Sequence, residues 1–245
     1  MKQIIKHKGL IINSKEYREN GHLLTILTHN GIETYLLKGA SRMNSGNKKY
    51  TIYPVNVEFL FSDSSTLKTF TQGYVAENYT NIKNDFEKTS IYLMIAEKVL
   101  SFSDHIDNHE LFFNFVTTIL EKLNNTLYPK EVLALFEIKL LYLIGIAPII
   151  NNCTCCNNTI DEGLFSVKQS GMVCKKCSSK YETNLNIDES ELFKYLYLIK
   201  LEKVDEEFLK LVNESGVDFN QVIDKYYEMF IDFKSKTKKI LKKVS

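Results

Sequence analysis

The stretch that decides the fold of the N-terminal part is Leu23-Leu-Thr-Ile-Leu-Thr-His-Asn-Gly-Ile-Glu-Thr-Tyr-Leu-Leu37. It contains two short runs of apolar and β-branched residues, separated by the turn signal His29-Asn-Gly31. This pattern predicts two β-strands joined by a tight turn. Further runs of the same kind lie at 9–12, 55–61 and 67–71. Five short strands within about eighty residues favour a small closed barrel over an open sheet.

Beyond Asn84 the apolar residues recur with the period of α-helices. Asp188 and Glu191 resemble a capping box, which predicts the start of a late helix. The expected fold class is therefore α+β, with a β-barrel domain at 1–80 and a helical domain at 81–245. The predicted helices lie at 91–100, 111–120, 130–144, 188–198 and 219–241.

The composition indicates a folded protein. At 245 residues, 44% of them hydrophobic, the chain is long enough to bury a core in one or two domains. No stretch approaches the roughly eighteen uninterrupted apolar residues of a membrane span, and the N-terminus lacks the apolar run of a signal peptide. We therefore expect a cytoplasmic protein.

Charge is distributed unevenly behind a net charge of +1. Residues 1–50 hold nine Lys or Arg against three Asp or Glu, and the chain after Asp232 holds six lysines and no acid. The part between them, 51–232, carries a balance of −11. Basic ends around an acidic middle suit a protein that binds a polyanion on one face and a protein partner on another. Solvated surface charge explains the same pattern equally well.

All five cysteines lie in one segment, which contains Cys153-Thr-Cys-Cys156 and, after seventeen further residues, Cys174-Lys-Lys-Cys177. Two such C-x2-C turns can place four thiolates around one zinc ion at about 2.3 Å, whereas cysteines clustered in this way are poorly placed for disulfides. The intervening runs 163–167 and 171–173 predict the strands of a hairpin. We therefore predict a zinc-ribbon-like module at 153–177, inserted in the helical domain. Its predicted ligands are Cys153, Cys156, Cys174 and Cys177.

The metal is expected to be structural. A catalytic zinc usually keeps one coordination position open for water, whereas four thiolates close the shell. None of the five histidines lies in the segment. Only the pairing of Cys153 with Cys156 gives the standard spacing in the first turn, so Cys155 is expected to be a spare thiol.

Between the third and fourth predicted strands lies a basic loop rich in glycine, serine and asparagine. Cations for phosphates beside aromatic rings for bases are typical of single-stranded nucleic-acid binding on a barrel. A solvated hairpin tip next to core tyrosines fits the same residues. The lysines of 234–243 could add phosphate contacts, although they would also complement a helix dipole. The candidate phosphate contacts are Lys38, Arg42, Lys48 and Lys49, and the nearby tyrosines are Tyr35, Tyr50 and Tyr53.

No nucleotide-binding glycine loop, zinc-protease motif or serine-hydrolase motif occurs in the sequence. His105 and His109 have the i, i+4 spacing of a helical metal pair, without an evident third ligand. We therefore expect a protein that binds rather than catalyses. Two alternatives stay open: a zinc-ribbon nucleic-acid-processing enzyme, and a protein-interaction adaptor whose basic loop is idle.

These features, in this order, resemble the bacterial recombination mediator family RecO, the DNA repair proteins of the RecF pathway. The resemblance rests on Gly39 and Arg42, on the run 136–148 that leads into the first cysteine pair, on the second cysteine pair, and on the closing run 233–241. It covers essentially the whole chain. One departure is Asn157, where the family commonly has glycine; asparagine tolerates a positive φ better than most residues.

The resemblance implies an N-terminal OB-fold, a helical C-terminal domain with an embedded zinc module, and no enzymatic turnover. The family binds single- and double-stranded DNA, anneals complementary strands, contacts the C-terminal tail of single-stranded DNA-binding protein, and joins RecR to load RecA. By this resemblance the chain is expected to be a nucleoid-associated recombination mediator in DNA repair, with one structural Zn²⁺ as its cofactor.

Overall fold

The structure, a computed structural model, describes residues 4–63 and 67–244, with side chains described for 6–63 and 67–241. The chain divides into two compact units, one ending at Asn125 and the other beginning at Thr126. The first unit therefore combines the strands with the first helices. The boundary after residue 80, which separates strands from helices along the sequence, stays a prediction about domains.

The first unit begins with five strands: β1 (Ile4–Tyr17), β2 (Gly21–Thr28), β3 (Gly31–Lys38), β4 (Val55–Ser62) and β5 (Thr69–Glu77). They close into a barrel in the order β1-β2-β3-β5-β4. β1 pairs antiparallel with both β2 and β4, whereas β3 runs parallel to β5 at Leu36 and Leu37. The predicted five-stranded, OB-like barrel is confirmed.

The barrel interior is filled by alternate residues of the strands, as the two-residue period of a strand requires. In β4 the buried positions Val55, Val57, Phe59 and Phe61 point inward. The rings of Phe59 and Phe70 stack with centroids 5.1 Å apart. This core fixes the rims and loops of the barrel.

Three helices complete the first unit: α1 (Thr80–Asn84), α2 (Phe86–Phe102) and α3 (His109–Asn125). Asp85 caps α2, since its carboxylate accepts the Lys88 N–H at 2.9 Å. The buried Tyr92 hydroxyl donates to the Ile12 carbonyl oxygen at 2.8 Å and so ties α2 to β1.

The second unit contains six helices and one hairpin among its described residues: α4 (Pro129–Leu143), β6 (Gly163–Ser166), β7 (Gly171–Cys174), α5 (Lys175–Ser178), α6 (Ile187–Leu198), α7 (Glu206–Glu214), α8 (Asn220–Ile231) and α9 (Lys236–Val244). The hairpin of β6 and β7 agrees with the predicted strands. Within the described ranges, no helix is long and apolar enough to span a membrane.

Two predictions about helix ends were wrong. The long helix expected at 219–241 is two helices, because Asp232 adopts a left-handed conformation (φ 50°) that ends α8. Ser235 then caps α9 by accepting the Lys238 N–H at 3.0 Å. The capping box of α6 is formed by Asn186 and Glu189 instead of Asp188 and Glu191, so the helix begins one residue earlier than expected.

Candidate metal centre and nucleic-acid interface

The structure brings together the four cysteines that the sequence singles out. The thiol sulfurs of Cys153, Cys156, Cys174 and Cys177 all lie within 4.8 Å of one another. A tetrahedron with Zn–S bonds of about 2.3 Å has sulfur–sulfur edges of roughly 3.8 Å. The distance of 3.9 Å between the sulfurs of Cys156 and Cys174 is close to that edge. The donor set and its spacing therefore fit one tetrahedral zinc ion.

The first cysteine turn is shaped by its own backbone. The Asn157 N–H donates to the Cys153 carbonyl oxygen at 2.8 Å, and the Cys153 N–H donates to Asn158 at 2.8 Å. Asn157 itself has a φ of 61°. This is the left-handed region in which asparagine can replace glycine, so the departure from the family pattern preserves the turn.

The second turn is carried by the hairpin, which is itself anchored to the chain before the first turn. The Met172 N–H donates to the Ile149 carbonyl oxygen at 2.8 Å, and the Ile149 N–H donates to Ser170 at 2.9 Å. Gly171 leaves room for this contact, because a Cβ there would lie 2.2 Å from the Ile149 oxygen. The Thr154 N–H also donates to Met172 at 2.9 Å, which sets the two turns face to face.

The four thiols differ in acidity. Burial opposes ionisation of Cys153, but hydrogen bonds to its sulfur, led by the Cys174 N–H at 3.3 Å, outweigh this effect and lower its pKa to about 6. A side-chain hydrogen bond to Cys174, with burial, raises the pKa of Cys177 to about 12. Four thiolates at such short distances repel one another, so ionising all of them requires a bound cation.

Cys155 stays outside this group. Its sulfur lies 3.8 Å from the Thr154 hydroxyl and 3.9 Å from the Gln169 amide oxygen. Burial raises the pKa of this thiol, so it is kept protonated. The geometry agrees with the spare thiol expected from its spacing.

The basic loop, residues 38–50, is an ordered connection between β3 and β4. Ser45 caps a 3-10 turn at Gly46–Tyr50, since its hydroxyl accepts the Asn47 N–H at 3.1 Å. The Asn47 side-chain amide donates to the Lys38 carbonyl oxygen at 3.0 Å and thereby ties the two ends of the loop together. Gly39 supplies the left-handed backbone (φ 71°) at the start.

All four predicted cations of the loop have exposed side chains. The Lys48 amine donates to the Met43 carbonyl oxygen at 2.9 Å and so helps to hold the loop. The Lys49 amine lies 4.9 Å from the centre of the Tyr50 ring. Lys38 is the last residue of β3 and Arg42 follows four residues later, so all four exposed cations lie on one connection between two barrel strands; we call them the basic surface of the loop.

The tyrosines beside the loop do not form a stacking platform. Tyr35 and Tyr50 are buried in the barrel core, where the Tyr50 ring packs 4.9 Å from Phe70 and its hydroxyl donates to the Gly73 carbonyl oxygen. Tyr53 is only partly exposed and packs against the same core. They are core tyrosines, which is the alternative that the sequence left open.

The histidine pair does not form a metal site. His105 ends a 3-10 turn and His109 begins α3, so the two do not share one helix face. Among the described residues, the four cysteines are the one group of three or more His, Cys, Asp or Glu side chains with ligand atoms close together.

Two ionic clusters were missed from the sequence, one partly buried in the barrel and one buried in the second unit. In the barrel, Glu33 accepts hydrogen bonds from Lys68 and from the Tyr35 hydroxyl, the latter at 2.6 Å. In the second unit, Lys238 of α9 contacts Glu137 of α4. Neither ion pair has a local signal, because Glu33 and Lys68 lie 35 positions apart and Glu137 and Lys238 lie 101 apart.

Two family models match the chain: one described as "Recombination protein O N terminal" over residues 1–79, and one described as "Recombination protein O C terminal" over residues 83–238. The chain belongs to the recombination protein O family. This confirms the resemblance carried by the cysteine pairs and the run before them. The two matches meet near residue 80, where the strands give way to helices.

Recombination protein O relatives align over nearly the full chain. The DNA repair protein RecO of Bacillus subtilis (strain 168) is 26% identical over 241 residues, which cover 97% of this chain and 94% of the relative. The protein of the same name from Oceanobacillus iheyensis is 27% identical over 240 residues, covering 96% and 92%. That of Listeria monocytogenes serotype 4b (strain CLIP80459) is 24% identical over 242 residues, covering 98% and 94%.

Proposed function

We propose that this chain is a DNA-binding recombination mediator that anneals complementary strands and helps to load a recombinase onto protein-coated single-stranded DNA. The observation that carries the proposal is the match to both recombination protein O domains along one chain. Residues 1–80 act as the OB-fold nucleic-acid domain and 81–245 as the helical domain. The partners in this proposal are RecR, the C-terminal tail of single-stranded DNA-binding protein and, indirectly, RecA.

The basic surface of the loop supports DNA binding at the barrel. Lys38, Arg42, Lys48 and Lys49 project four exposed cations from one ordered loop. Because Tyr35 and Tyr50 are buried and Tyr53 packs against the same core, the contact uses phosphates more than bases. Such a contact is independent of sequence and sensitive to salt. Annealing needs these properties, because two polyanionic strands must be brought together and the product released.

No covalent step is required for this work. We propose that the chain acts without catalytic turnover, in the cytoplasm and in association with the nucleoid. Neutralisation of phosphate charge lowers the repulsion between complementary strands, and base pairing then supplies the free energy of annealing. The loop cations need only bind the phosphates of the strands and release the annealed product.

We further propose that the four cysteines hold one structural zinc ion. When bound, the ion supplies cross-linking of the two cysteine turns, and no reaction step depends on it. Cys153 and Cys156 would anchor the first turn, and Cys174 and Cys177 the hairpin. The support comes from the sulfur spacing and from the N–H donor to the Cys153 sulfur.

A strand-annealing assay with purified protein tests the proposal, run with bare strands and with strands coated by single-stranded DNA-binding protein. We expect faster annealing in both cases. Two other results would favour the alternatives. Magnesium-dependent cleavage of the strands would indicate a nucleic-acid-processing enzyme, and an absence of DNA binding even at low salt would indicate a protein-interaction adaptor.

A further inference from the structure

The turn between β1 and β2, residues 18–20, lies beside the start of the basic loop. In the strand register Tyr17 is opposite Gly21, and Gly21 is in turn opposite Lys38. Neighbouring strands are about 4.8 Å apart, so Tyr17 and Lys38 are separated by roughly 10 Å. A Cβ on Gly21 would lie 2.9 Å from the Tyr17 carbonyl oxygen, so glycine permits this close approach. Only β2 therefore separates the turn from the loop.

Arg18 holds an unusual backbone conformation in this turn. Its φ of 54° lies in the left-handed region, where the Cβ of most residues comes too close to the following carbonyl oxygen. Its guanidinium carbon lies 5.1 Å from the centre of the Tyr17 ring, a favourable cation–π arrangement. The Arg18 side chain is exposed and that of Tyr17 partly exposed. Strained residues of this kind cluster at ligand sites, so the pair is a candidate for one.

The hairpin that carries the pair is fixed close to its turn. The Ser14 hydroxyl lies 2.9 Å from His22 Nδ1, in hydrogen-bond contact across β1 and β2. A ring and a guanidinium on such a hairpin are ordered before a ligand arrives, which lowers the entropy cost of binding.

The charges around the turn cancel. Lys15 and Arg18 stand against Glu16 and Glu19, and all four side chains are exposed. Phosphate binding depends on an excess of cations, which this turn does not have. Stacking needs no such excess, because every base has a π-face that an aromatic ring or a guanidinium plane can cover.

We propose that Tyr17 and Arg18 form a base-stacking site for one unpaired nucleotide, beside the phosphate contacts of the basic loop. The loop itself offers no ring to a base, because Tyr35 and Tyr50 are buried. The distance of roughly 10 Å to Lys38 is within the span of the about four or more nucleotides that one OB-fold binds. A base inside a duplex already has neighbours on both faces, so the site selects single strands.

The inference rests on the proposed function, because it takes the ligand to be single-stranded DNA. It adds a preference between two forms of DNA. The phosphate contacts of the loop accept a strand or a duplex, whereas the stacking site accepts only an unpaired base. Affinity therefore falls once two strands have paired, and this difference favours release of the annealed product.

The test compares R18Q and R18K with the matched control K203Q, which removes one exposed charge from the second unit. Affinities for an oligothymidine strand and for a duplex of the same length are measured by fluorescence anisotropy over a series of salt concentrations. R18Q should bind the strand roughly tenfold more weakly and the duplex nearly as wild type does. R18K should lose almost as much affinity for the strand, because an ammonium cannot stack, and should keep the wild-type salt slope.

K203Q should keep both affinities, and all three variants should keep the wild-type melting temperature, since the two side chains are exposed. A wild-type strand affinity in R18K would mean that only the charge of Arg18 matters, which overturns the stacking site. An equal loss of strand and duplex affinity in R18Q would indicate a phosphate contact and overturn it too. A lower melting temperature in R18Q with unchanged strand affinity would show that the pair only shapes the turn.

In each of these three cases the proposed function stands, provided that wild type binds the strand. If wild type binds neither strand nor duplex at low salt, the proposed function itself fails.

Tyr17 gives a second comparison. Y17F keeps the ring and should bind the strand as wild type does, whereas Y17L removes the aromatic face and should show the loss seen in R18Q. Melting temperatures of both variants separate lost packing from lost stacking, because the ring is partly buried. Equal strand affinities for Y17F and Y17L would exclude the ring from the site.

Discussion

The Lys238 amine lies 3.0 Å from the Glu137 carboxylate, which is fully buried, and this ion pair joins the last helix of the chain to α4. The two residues are 101 positions apart. Asp224 adds a second carboxylate at 2.7 Å. Burial lowers the pKa of Lys238, but the charges of Glu137 and Asp224 outweigh it and raise the pKa above the ordinary 10.5. The ammonium is therefore fully charged at neutral pH.

Replacing Lys238 by methionine should destabilise the protein by about 3 kcal/mol, because the buried Glu137 side chain loses a cationic partner. The loss should be constant through the neutral range, since the stability from a raised lysine pKa is full below the ordinary 10.5 and declines only as pH rises from there through the folded value. Urea unfolding of K238M measures it. In K238M/E137M the cost should be smaller than the sum of the two single changes. Additive costs would mean that the two side chains do not interact.

Glu33 gives the barrel a sensitivity to acid. Burial raises the pKa of Glu33, but hydrogen bonds from Lys68 and Tyr35 outweigh it, and the resulting pKa lies below the ordinary 4.5. A lowered carboxyl pKa stabilises the fold above pH 4.5 and loses this effect as pH falls through the folded value.

E33Q should therefore cost about 1.5 kcal/mol at pH 7, and the difference from wild type should shrink below pH 4.5. Thermal unfolding between pH 3 and pH 7 measures both quantities. E58Q is the matched control, because Glu58 pairs with Lys6 and Lys8 on the barrel surface and should matter less. If the difference in stability between E33Q and wild type stays constant down to pH 3, the lowered pKa of Glu33 does not stabilise the barrel.

These clusters show where sequence patterns stop being informative. The strands of the barrel and the cysteine hairpin follow from local alternation and turn residues, so both could be predicted. The approach of Glu33 to Lys68, and of Glu137 to Lys238, depends on the closed fold and has no local signal. The role of Tyr50 was ambiguous for the same reason, since only the barrel decides whether its ring faces core or solvent.

Helix ends were harder to predict than helices. The apolar period continues across Asp232, so one helix was expected where the structure has two. A left-handed aspartate is an uncommon stop that composition does not signal. The stop matters for the packing of the unit, because it lets α9 turn Lys238 inward to Glu137 and Asp224.

The basic loop predicts a salt-dependent loss of binding. K38E/R42E removes two exposed cations, so affinity for single-stranded DNA should fall roughly tenfold at low salt, and the slope against log salt should become shallower by about 1.4. The control K203E/K225E, which changes two exposed lysines of the second unit, should leave both the affinity and the salt slope unchanged. The tyrosines give a second comparison: Y50F loses a buried hydrogen bond to Gly73 and should lower stability without changing the salt slope. A salt slope of K38E/R42E equal to that of wild type would remove the loop from the binding surface.

The cysteine group predicts a difference between neighbouring thiols. C174S should abolish binding of one zinc ion per chain and lower the melting temperature, whereas C155S should retain the ion, since Cys155 lies outside the group. Metal content after dialysis and thermal unfolding measure the two effects. C174S should change DNA affinity little compared with its effect on stability, because the basic loop belongs to the other compact unit. Zinc content that survives in C174S and is lost in C155S would show that the ligand set is wrong.

Asn157 offers a test of the first cysteine turn that leaves every sulfur in place. Glycine adopts its φ of 61° without strain, whereas a β-branched residue in this conformation costs roughly 1–2 kcal/mol of conformational free energy. N157G should therefore bind zinc as tightly as wild type, whereas N157V should bind it about tenfold more weakly, because the turn must be strained before both thiolates reach the ion. Competition with a chelator measures the two affinities.

The Asn152 side chain, which donates to the Asn157 carbonyl oxygen at 3.2 Å, gives a control: N152A removes this contact without backbone strain and should have a smaller effect than N157V. Equal zinc affinities for N157G and N157V would mean that the left-handed turn does not position the ligands.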